Sequence, residues 1–294
     1  MNRQSRAMML ASAAVLFWST AASAFKLTLA RLDPLSMLVW SSATSTVFLL
    51  GIAAVRGKFG ILAGMTVGEW GRSAVLGFLN PFLYYVTLFT AYKLLSAQEA
   101  LVLNYTWPIM LVLLSAPLLG QQIRPGSIAA LAVSFSGVVV IVTRGNFSAV
   151  SFSNPLGVSL ALSTAVVWGI YWIFNMRDRR DEVVKLAANF LFGTFYTVIA
   201  AAVFTGLTIP DIGGLVGSVY IGLFEMGITF VLWLTALSTA ETTASVSNLV
   251  YVSPFLSLIW IRIVVGEQLA LSTIAGLVCI VTGILIERMV GRST

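Results

Sequence analysis

The segment 101–121, LVLNYTWPIMLVLLSAPLLGQ, is apolar enough to cross a bilayer, yet it carries Asn104, Tyr105, Trp107 and Pro108 near its start. A helix crosses the hydrocarbon core with about 20 apolar residues. Proline donates no backbone hydrogen bond and its ring collides with the carbonyl four residues earlier, so the carbonyl of Asn104 is left free. Because irregular backbone at membrane depth is tolerated only inside protein or beside a wet cavity, we predict a bent transmembrane helix that lines a cavity. The alternative is a structural kink packed against a neighbouring helix.

The composition places the chain in a membrane. Of its 294 residues, 59% are hydrophobic and 10% are charged, with a mean hydropathy of +0.96. A soluble domain is about 25% charged, so we predict an all-α, polytopic membrane protein. The lack of histidine and the single Cys279 exclude disulfides within the chain and disfavour zinc or haem, so we expect no metal and no cofactor. Basic residues are scattered through short loops, which does not indicate nucleic acid.

Ten stretches are long and apolar enough to cross the membrane. They are 7–28, 34–55, 69–92, 97–118, 125–143, 154–175, 183–206, 213–237, 241–264 and 269–287. The first resembles a secretory signal peptide, but it is long enough to span, so we expect it to be retained. Most of the 17 Lys and Arg residues fall on the side of the N-terminus, which predicts that both termini are cytoplasmic.

The two halves of the chain carry matching residues in the same order. Pro108, Gly120, Gln121 and Gly137 recur at identical spacing as Pro254, Gly266, Glu267 and Gly283, while Trp18 corresponds to Trp168 and Asn80 to Glu225. This predicts two five-helix repeats, residues 1–146 and 147–294, within one membrane domain. Five crossings is an odd number, so the repeats are inverted. Inverted repeats are typical of secondary carriers, whose central substrate site lies between the halves near the membrane midplane.

Several predicted helices carry aromatic and amide side chains on one face. The candidate substrate-binding residues are Trp18, Asn80, Tyr84, Asn104, Tyr105, Trp107, Trp168, Trp172, Glu225, Thr229 and Tyr251. Aromatic rings suit a planar apolar group, and amides with freed carbonyls suit the polar end of an amino acid. The same rings would hold a flat organic cation. The alternatives are packing within the bundle for the deep rings and the interfacial belt for Trp172.

Glu225 is the acidic residue that lies deep in a predicted span. An intramembrane carboxylate is costly and is by default a functional candidate. It would meet an ammonium group or carry a coupling proton, and the alternative is a structural glutamate with internal hydrogen bonds. By contrast, Glu99 and Glu241 each follow a serine by three residues, which is typical of the capping box that opens a helix. Glu267 is expected at the edge of a loop.

Pro108 and Pro254 occupy equivalent positions in the two repeats. Each removes one backbone hydrogen bond and bends its helix. We therefore predict that both helices have hinges at these prolines and flex there while the cavity opens to alternate sides.

No catalytic constellation is found in the sequence. It has no histidine, no pair of intramembrane carboxylates and no convincing Ser/Lys arrangement, so a carrier is favoured over a membrane enzyme. Few basic residues face the predicted interior, which disfavours phosphorylated substrates such as nucleotide sugars. Two hypotheses remain: a secondary carrier for aromatic or large neutral amino acids, and a multidrug carrier for aromatic cations in which Glu225 is essential.

The strings VLFWST (15–20) and LNYTWP (103–108), with the repeated pattern P-x11-G-[QE], resemble EamA-type ten-helix carriers of the drug/metabolite transporter superfamily, most of all the YddG-type exporters of aromatic amino acids. The resemblance covers nearly the whole chain. It implies ten helices around a central cavity, a place in the bacterial inner membrane and export of amino acids. By position, it implies a cavity lined by Trp18, Tyr84, Tyr105, Trp107 and Trp168. The expected partners are a small-molecule substrate and the lipid bilayer, and we expect a monomer.

Overall fold

The computed structural model describes residues 3–120, 125–143, 145–146, 154–240 and 248–292. Within these ranges the chain is helical and contains no strand. The helices are α1 (Arg3–Leu29), α2 (Pro34–Val55), α3 (Phe59–Ala63), α4 (Val67–Gly77), α5 (Tyr84–Leu94), α6 (Ala97–Asn104), α7 (Trp107–Leu119), α8 (Pro125–Val142), α9 (Pro155–Arg177), α10 (Glu182–Phe204), α11 (Ile212–Tyr220), α12 (Ile228–Thr239), α13 (Ser253–Trp260) and α14 (Leu271–Arg292).

Side-chain caps begin several of the long helices where the sequence has Asx residues. Asp33 accepts hydrogen bonds from the backbone N–H groups of the first turn of α2, and Asn154 accepts one in α9. Asp181 and Asp211 do the same for α10 and α11. The N–H of Gly214 and the side chain of Arg31 hold the pKa of Asp211 below its usual value, so this cap is charged at neutral pH. Each cap satisfies N–H groups that have no partner inside the helix.

The chain is a multi-pass membrane protein. Six helical stretches are long and apolar enough to cross a bilayer, and three shorter apolar helices accompany them in the described residues. The six are Arg3–Leu29, Pro34–Val55, Val67–Leu94, Pro155–Asn175, Glu182–Phe204 and Ile212–Ala236, and the shorter three are Ile128–Ile141, Leu249–Val265 and Leu271–Ile286. Each predicted span contains helix where the structure describes it, but the fourth is broken at residues 105–106, and residues 241–247 of the ninth lie outside the described ranges.

Two of the long stretches are interrupted by π-helical segments. Residues Phe78–Leu83 join α4 to α5, and Asn80 within them leaves helical geometry with φ −148° and ψ 121°. Residues Ile221–Gly227 join α11 to α12 and contain Glu225. A π-helical turn holds more residues than an α-helical turn and is frequent at functional sites. Both interruptions therefore change which side chains face the interior.

The predicted bend at Pro108 takes the form of a break between two helices. Helix α6 ends at Asn104 and α7 begins at Trp107, so Pro108 is the second residue of α7. The first turn is where a helix tolerates proline, because the missing N–H has no intrahelical partner there. Pro254 is likewise the second residue of α13, after the 3₁₀ turn Asn248–Val252. The two prolines thus begin helices rather than interrupting them.

Small residues allow close packing of α8 on α14. A Cβ atom on Gly137 would collide with the carbonyl of Gly276, and one on Gly283 would collide with Ala130 and Ser134. Close approach of helices at small residues is the usual way that membrane helices associate. Extensive packing also joins α2 to α10. The packed pairs α1 with α12 and α5 with α9 contribute to the wall of the interior cavity described next.

Candidate functional site

A cavity of about 100 Å³ lies between α1, α5, the α6–α7 break, α9 and the span that contains Glu225. Aromatic rings dominate its wall. The lining residues are Trp18, Ala21, Ala22, Phe25, Tyr84, Leu88, Tyr92, Leu101, Asn104, Tyr105, Trp107, Trp168, Trp172, Glu225, Trp233 and Val250. We call this space the central cavity.

A larger groove of about 650 Å³ lies on the outside of the bundle, between α1, α11 and the end of α13. Its wall includes Leu27, Val216, Trp260 and Val264, which are all exposed apolar residues. In a membrane such a surface faces lipid. The central cavity is therefore the better candidate for a site, although it is the smaller of the two.

The structure brings most of the predicted site residues together. Trp18, Tyr84, Asn104, Tyr105, Trp107, Trp168, Trp172 and Glu225 all line the central cavity. Asn80, Thr229 and Tyr251 are not in its wall. Asn80 and Thr229 are fully buried elsewhere, and the Thr229 hydroxyl donates to the carbonyl of Phe224. Tyr251 packs against the apolar cluster that includes the wall residue Trp233.

Trp168 joins one side of the wall. Its ring lies 4.6 Å from the ring of Tyr84 and 5.9 Å from that of Trp172, measured between centroids. On the other side, the ring of Trp18 lies 5.2 Å from that of Trp233. Phe230 lies between the two sides, 6.0 Å from Trp168 and 6.3 Å from Trp18. Such spacings are favourable for aromatic pairs, so the wall is a connected set of rings.

Asn104 fixes the polar corner of the cavity at the end of α6. Its amide nitrogen donates to the hydroxyl of Thr164 at 2.8 Å and to that of Tyr84 at 3.2 Å. The assignment of the amide nitrogen and oxygen follows from these partners. Asn104 therefore holds the Tyr84 ring against Trp168 and links the α6–α7 break to α9.

Glu225 lines the cavity and has one oxygen atom without a hydrogen-bond partner. Its Oε1 atom accepts a hydrogen bond from the hydroxyl of Tyr85 at 3.1 Å. Its Oε2 atom is buried and has no hydrogen-bond partner. Among the described residues that line the cavity there is no Lys or Arg. A buried carboxylate is stable only when it is paired or protonated, so this position calls for a cation or a proton.

One end of the bundle is closed by hydrogen bonds between the two halves of the chain. The Glu267 carboxylate accepts from the backbone N–H groups of Ala97, at 2.8 Å, and Gln98, at 3.3 Å. The Gln98 side chain in turn donates to the carbonyl of Gln268 and accepts from the N–H of Ala270. We call the pair Gln98 and Glu267 the latch. A carboxylate at a helix N-terminus is favoured by the exposed N–H groups and by the helix dipole.

The sequence does not predict the latch, whereas it correctly predicts the neighbouring capping box at the start of α6. The Ser96 hydroxyl accepts from the N–H of Glu99, and the Glu99 carboxylate accepts from the N–H of Ser96, which is the predicted capping box. The corresponding Glu241 lies outside the described residues. Glu267 does lie at a loop edge, directly after Gly266 at φ +78°, but its role in capping α6 depends on tertiary packing.

Three aromatic wall residues were not predicted as site residues. Phe25 follows Trp18 by seven positions, Tyr92 follows Tyr84 by eight, and Trp233 follows Glu225 by eight. These spacings put each residue about two turns further along the same helix face. The helical period could therefore have found Phe25 and Tyr92, whereas Trp233 follows the π-helical segment Ile221–Gly227, in which that period changes.

The comparisons with known proteins agree with this architecture. The model of the EamA-like transporter family matches residues 5–143 and again residues 155–287. The aromatic amino acid exporter YddG of Ancylobacter novellus is 28% identical over 264 residues, covering 86% of this chain and 87% of the exporter. An uncharacterized transporter of Archaeoglobus fulgidus is 26% identical over 285 residues, covering 95% of this chain and 96% of its own.

Two further matches concern export and fold. A probable terminal-alkyne amino-acid exporter of Streptantibioticus cattleyicolor is 27% identical over 255 residues, covering 85% of this chain and 84% of that exporter. A crystal structure superposes with a TM-score of 0.69 over 98% of both chains at 23% identity, which supports the fold alone.

The family model matches both halves of the chain, and this family together with the relatives named as transporters indicates a transporter rather than an enzyme. This chain belongs to the EamA-like transporter family.

Proposed function

We propose that the protein is a secondary transporter that exports aromatic and large neutral amino acids across the bacterial inner membrane by alternating access. The observation that carries this proposal is the central cavity, whose wall combines a connected set of aromatic rings with Asn104 and Glu225. Rings offer stacking to a planar side chain, and the two polar groups offer hydrogen bonds to an amino acid's polar end. The names of two relatives, an aromatic amino acid exporter and an amino-acid exporter, support the same substrate class.

The cavity must expand to admit such a substrate. Its volume of about 100 Å³ is below the ~300–1,000 Å³ of typical ligand pockets. Substrate entry therefore requires the wall to separate. Movement of one half of the molecule against the other would supply that space.

Helix packing supports a duplicated and inverted architecture of ten crossings. In the proposed repeats, 1–146 and 147–294, α1 corresponds to α9, and the α4–α5 span corresponds to the α11–α12 span. The packing of α1 on α12 then matches that of α9 on α5. The packing of α1 on α13 matches that of α9 on α7. The family model also matches the chain twice, once in each half.

The proposed movement opens one end of the bundle while it closes the other. The latch joins α6 of the first half to the 267–270 loop of the second, so breaking it would separate the halves at that end. Pro108 and Pro254 lie in the first turns of α7 and α13. Helix α7 follows the break at residues 105–106, and α13 follows the 3₁₀ turn Asn248–Val252 directly. These two junctions are the proposed hinges.

The proposed topology puts both termini in the cytoplasm and the latch on the periplasmic side. Charged groups at the opposite end support this assignment. Lys58 pairs with Asp181 at 2.5 Å, and Arg180 pairs with Asp178 at 2.5 Å. Basic residues favour the cytoplasmic side of a membrane protein. We further propose that a single chain suffices for transport, since both halves of the cavity come from one chain.

A multidrug carrier for aromatic cations is the second candidate function. The position of Glu225 in the cavity wall favours it, since rings and a carboxylate together attract cations. Quaternary aromatic cations, which have no N–H groups, distinguish it from the first. A multidrug carrier would transport them, whereas an amino-acid exporter would transport tryptophan and phenylalanine instead.

Reconstitution of the purified protein into liposomes tests the proposal. Labelled tryptophan, phenylalanine, leucine and lysine are offered to loaded vesicles, with protein-free vesicles as the control for leakage. We expect saturable exchange of the first three and none of lysine. Exchange of quaternary aromatic cations without any of the amino acids would replace the proposal by its rival.

A further inference from the structure

We propose that the central cavity recognises the ammonium group of its substrate through Glu225 and gives the substrate's carboxylate no charged partner. Aromatic monoamines, which carry an ammonium group but no carboxylate, are then substrates of the same cavity. This inference rests on the proposed function and adds to it the polarity of the site.

The ammonium end of the site is defined by Glu225 Oε2. Tyr85 holds the other oxygen atom at 3.1 Å and so fixes the carboxylate in place. The free Oε2 atom is buried and belongs to a cavity-lining residue. A primary ammonium group donates up to three hydrogen bonds, and its bond to a carboxylate is roughly twice as strong as a bond between neutral groups.

The carboxylate end of the site is neutral in the residues that the structure describes. Lys26 directly follows the wall residue Phe25, but its ammonium group donates to the carbonyls of Tyr92, at 2.9 Å, and Leu95, at 2.5 Å. The N-terminus of α6 is occupied by the Glu267 carboxylate. The start of α7 offers only the partial charge of a helix end, and Pro108 removes one N–H group from it.

The ammonium end and the carboxylate end of the site therefore contribute unequally to the free energy of substrate binding. Loss of the substrate's ammonium group leaves Glu225 without a counter-charge and brings a like charge towards it. Loss of the substrate's carboxylate removes contacts with neutral groups only. The stacking surface is the same for both compounds, so the difference comes from charge.

Inhibition of labelled tryptophan exchange in proteoliposomes measures this difference. The competitors are tryptamine, which lacks the carboxylate, and indole-3-propionate, which lacks the ammonium group. Inhibition is preferred to uptake because neutral tryptamine crosses lipid unaided. We expect tryptamine to inhibit within about threefold of unlabelled tryptophan. Indole-3-propionate should inhibit at least ~100-fold more weakly, which corresponds to about 2.8 kcal/mol of binding free energy at 1.4 kcal/mol for each factor of ten.

Glu225→Gln provides an independent measurement, with Glu69→Gln as a matched control that makes the same atomic change in the cap of α4. We expect Glu225→Gln to weaken inhibition by tryptamine at least tenfold more than inhibition by tryptophan, because the zwitterion carries its own counter-charge. Inhibition by indole-3-propionate should improve.

The outcomes separate this inference from the proposed function. If tryptophan exchanges but tryptamine does not compete, or if the two indole compounds compete equally, the ammonium assignment is wrong and the exporter remains. If the unmodified protein does not exchange tryptophan, the proposed function itself is wrong. The competition in the unmodified protein decides the matter even if Glu225→Gln does not fold.

Discussion

Trp168 and Trp107 both line the central cavity, but their surroundings differ. Substitution of each residue can therefore distinguish a ring's role in packing from its role in substrate binding. Trp168 is 9% exposed and lies against Tyr84, Trp172 and Phe230. Trp107 is only partly buried, at the first residue of α7. Removal of a buried ring costs both its packing and its contacts with a ligand. The same change at a half-exposed ring mainly removes the ligand's contacts.

We therefore expect Trp107→Ala to abolish most tryptophan exchange with little loss of thermal stability. Trp168→Ala should lose exchange and also destabilise the protein, by about 3–5 kcal/mol if the wall packs as a core does. Proteoliposome exchange and thermal unfolding of the same purified variants measure the two effects. Normal exchange by both variants would mean that these rings are packing residues and that the substrate site lies elsewhere.

Glu225 also bears on energy coupling. The ammonium group of a substrate and a proton would compete for the same carboxylate, because Oε2 is the atom left without a partner. If the ammonium group is the normal partner, we expect tryptophan flux in liposomes to be unchanged by an imposed pH gradient. Glu225→Gln should then lower tryptophan flux to the same extent with and without the gradient. Accumulation that is driven by the gradient and lost in Glu225→Gln would instead identify Glu225 as a proton carrier.

The period of the sequence predicted half of the residues that line the cavity, and the predicted residues Asn80 and Thr229 lie outside the wall for a physical reason. A helical wheel assumes 100° per residue throughout a span. Asn80 lies in the π-helical segment Phe78–Leu83 and has non-helical backbone angles, so its side chain leaves the predicted face. Thr229 follows the π-helical segment Ile221–Gly227, which turns the rest of that span relative to the wheel. The glycine and proline residues nearby do not by themselves specify a π-helical segment, so the sequence does not predict where the helical period changes.

At the scale of elements, the broken helices α6–α7 and α13 carry the proposed hinges. Substituting Pro108 with alanine supplies an N–H group that can bond to the carbonyl of Asn104 and so favours one continuous helix from α6 into α7. Because Pro108 is in the first turn of α7, we expect a small change in stability rather than the ~3 kcal/mol that an interior proline costs. A stiffer junction should slow the opening of the cavity.

We expect Pro108→Ala to reduce the turnover of tryptophan exchange by about tenfold and its binding affinity by much less. Binding and exchange are measured on one preparation, with Pro117→Ala, in the same helix but away from the break, as the control. Equal losses of binding and turnover would indicate that Pro108 shapes the pocket, and no loss of either would remove its role as a hinge.

The six long spans were predictable because a run of about 20 apolar residues is needed to cross a bilayer and is visible in the sequence. Asp33, Asn154 and Asp211 cap helices as their chemistry predicts. The latch was not predictable. Gln98 and Glu267 are far apart in sequence, and their contact depends on how the halves pack. A local pattern describes caps within a helix, whereas a cap supplied by another half of the molecule has no local signature.

At the scale of the whole molecule, the proposed duplication predicts a counterpart of the latch at the other end of the bundle. Glu267 corresponds to Gln121, and Ser96 at the start of α6 corresponds to Ser238. If the halves exchange conformations, Gln121 would take the place in the other state that Glu267 has here. Glutamine has no charge, so it would interact less strongly with a helix N-terminus than glutamate does. If the proposed duplication holds, the two latches would be unequal in strength, and the state with the Glu267 latch closed would be favoured at rest.

The difference between Glu267 and Gln121 predicts how the resting state responds when either residue is substituted. Glu267→Gln weakens the closed latch, and Gln121→Glu strengthens its proposed counterpart, so both variants should shift the protein towards opening at the periplasmic side. A cysteine introduced by Leu101→Cys in the cavity wall, in a Cys279→Ser background, reports the shift through labelling by a membrane-impermeant thiol reagent. We expect periplasmic labelling to rise about threefold or more in each variant and further in the double variant, with Glu69→Gln unchanged. One charge-assisted hydrogen bond to a helix end is worth about 1 kcal/mol, or roughly a fivefold change in population.

Labelling that is unaffected by either substitution would show that the latch does not control access. A change in Glu267→Gln alone would limit the gate to one end of the bundle and remove the symmetry from the mechanism.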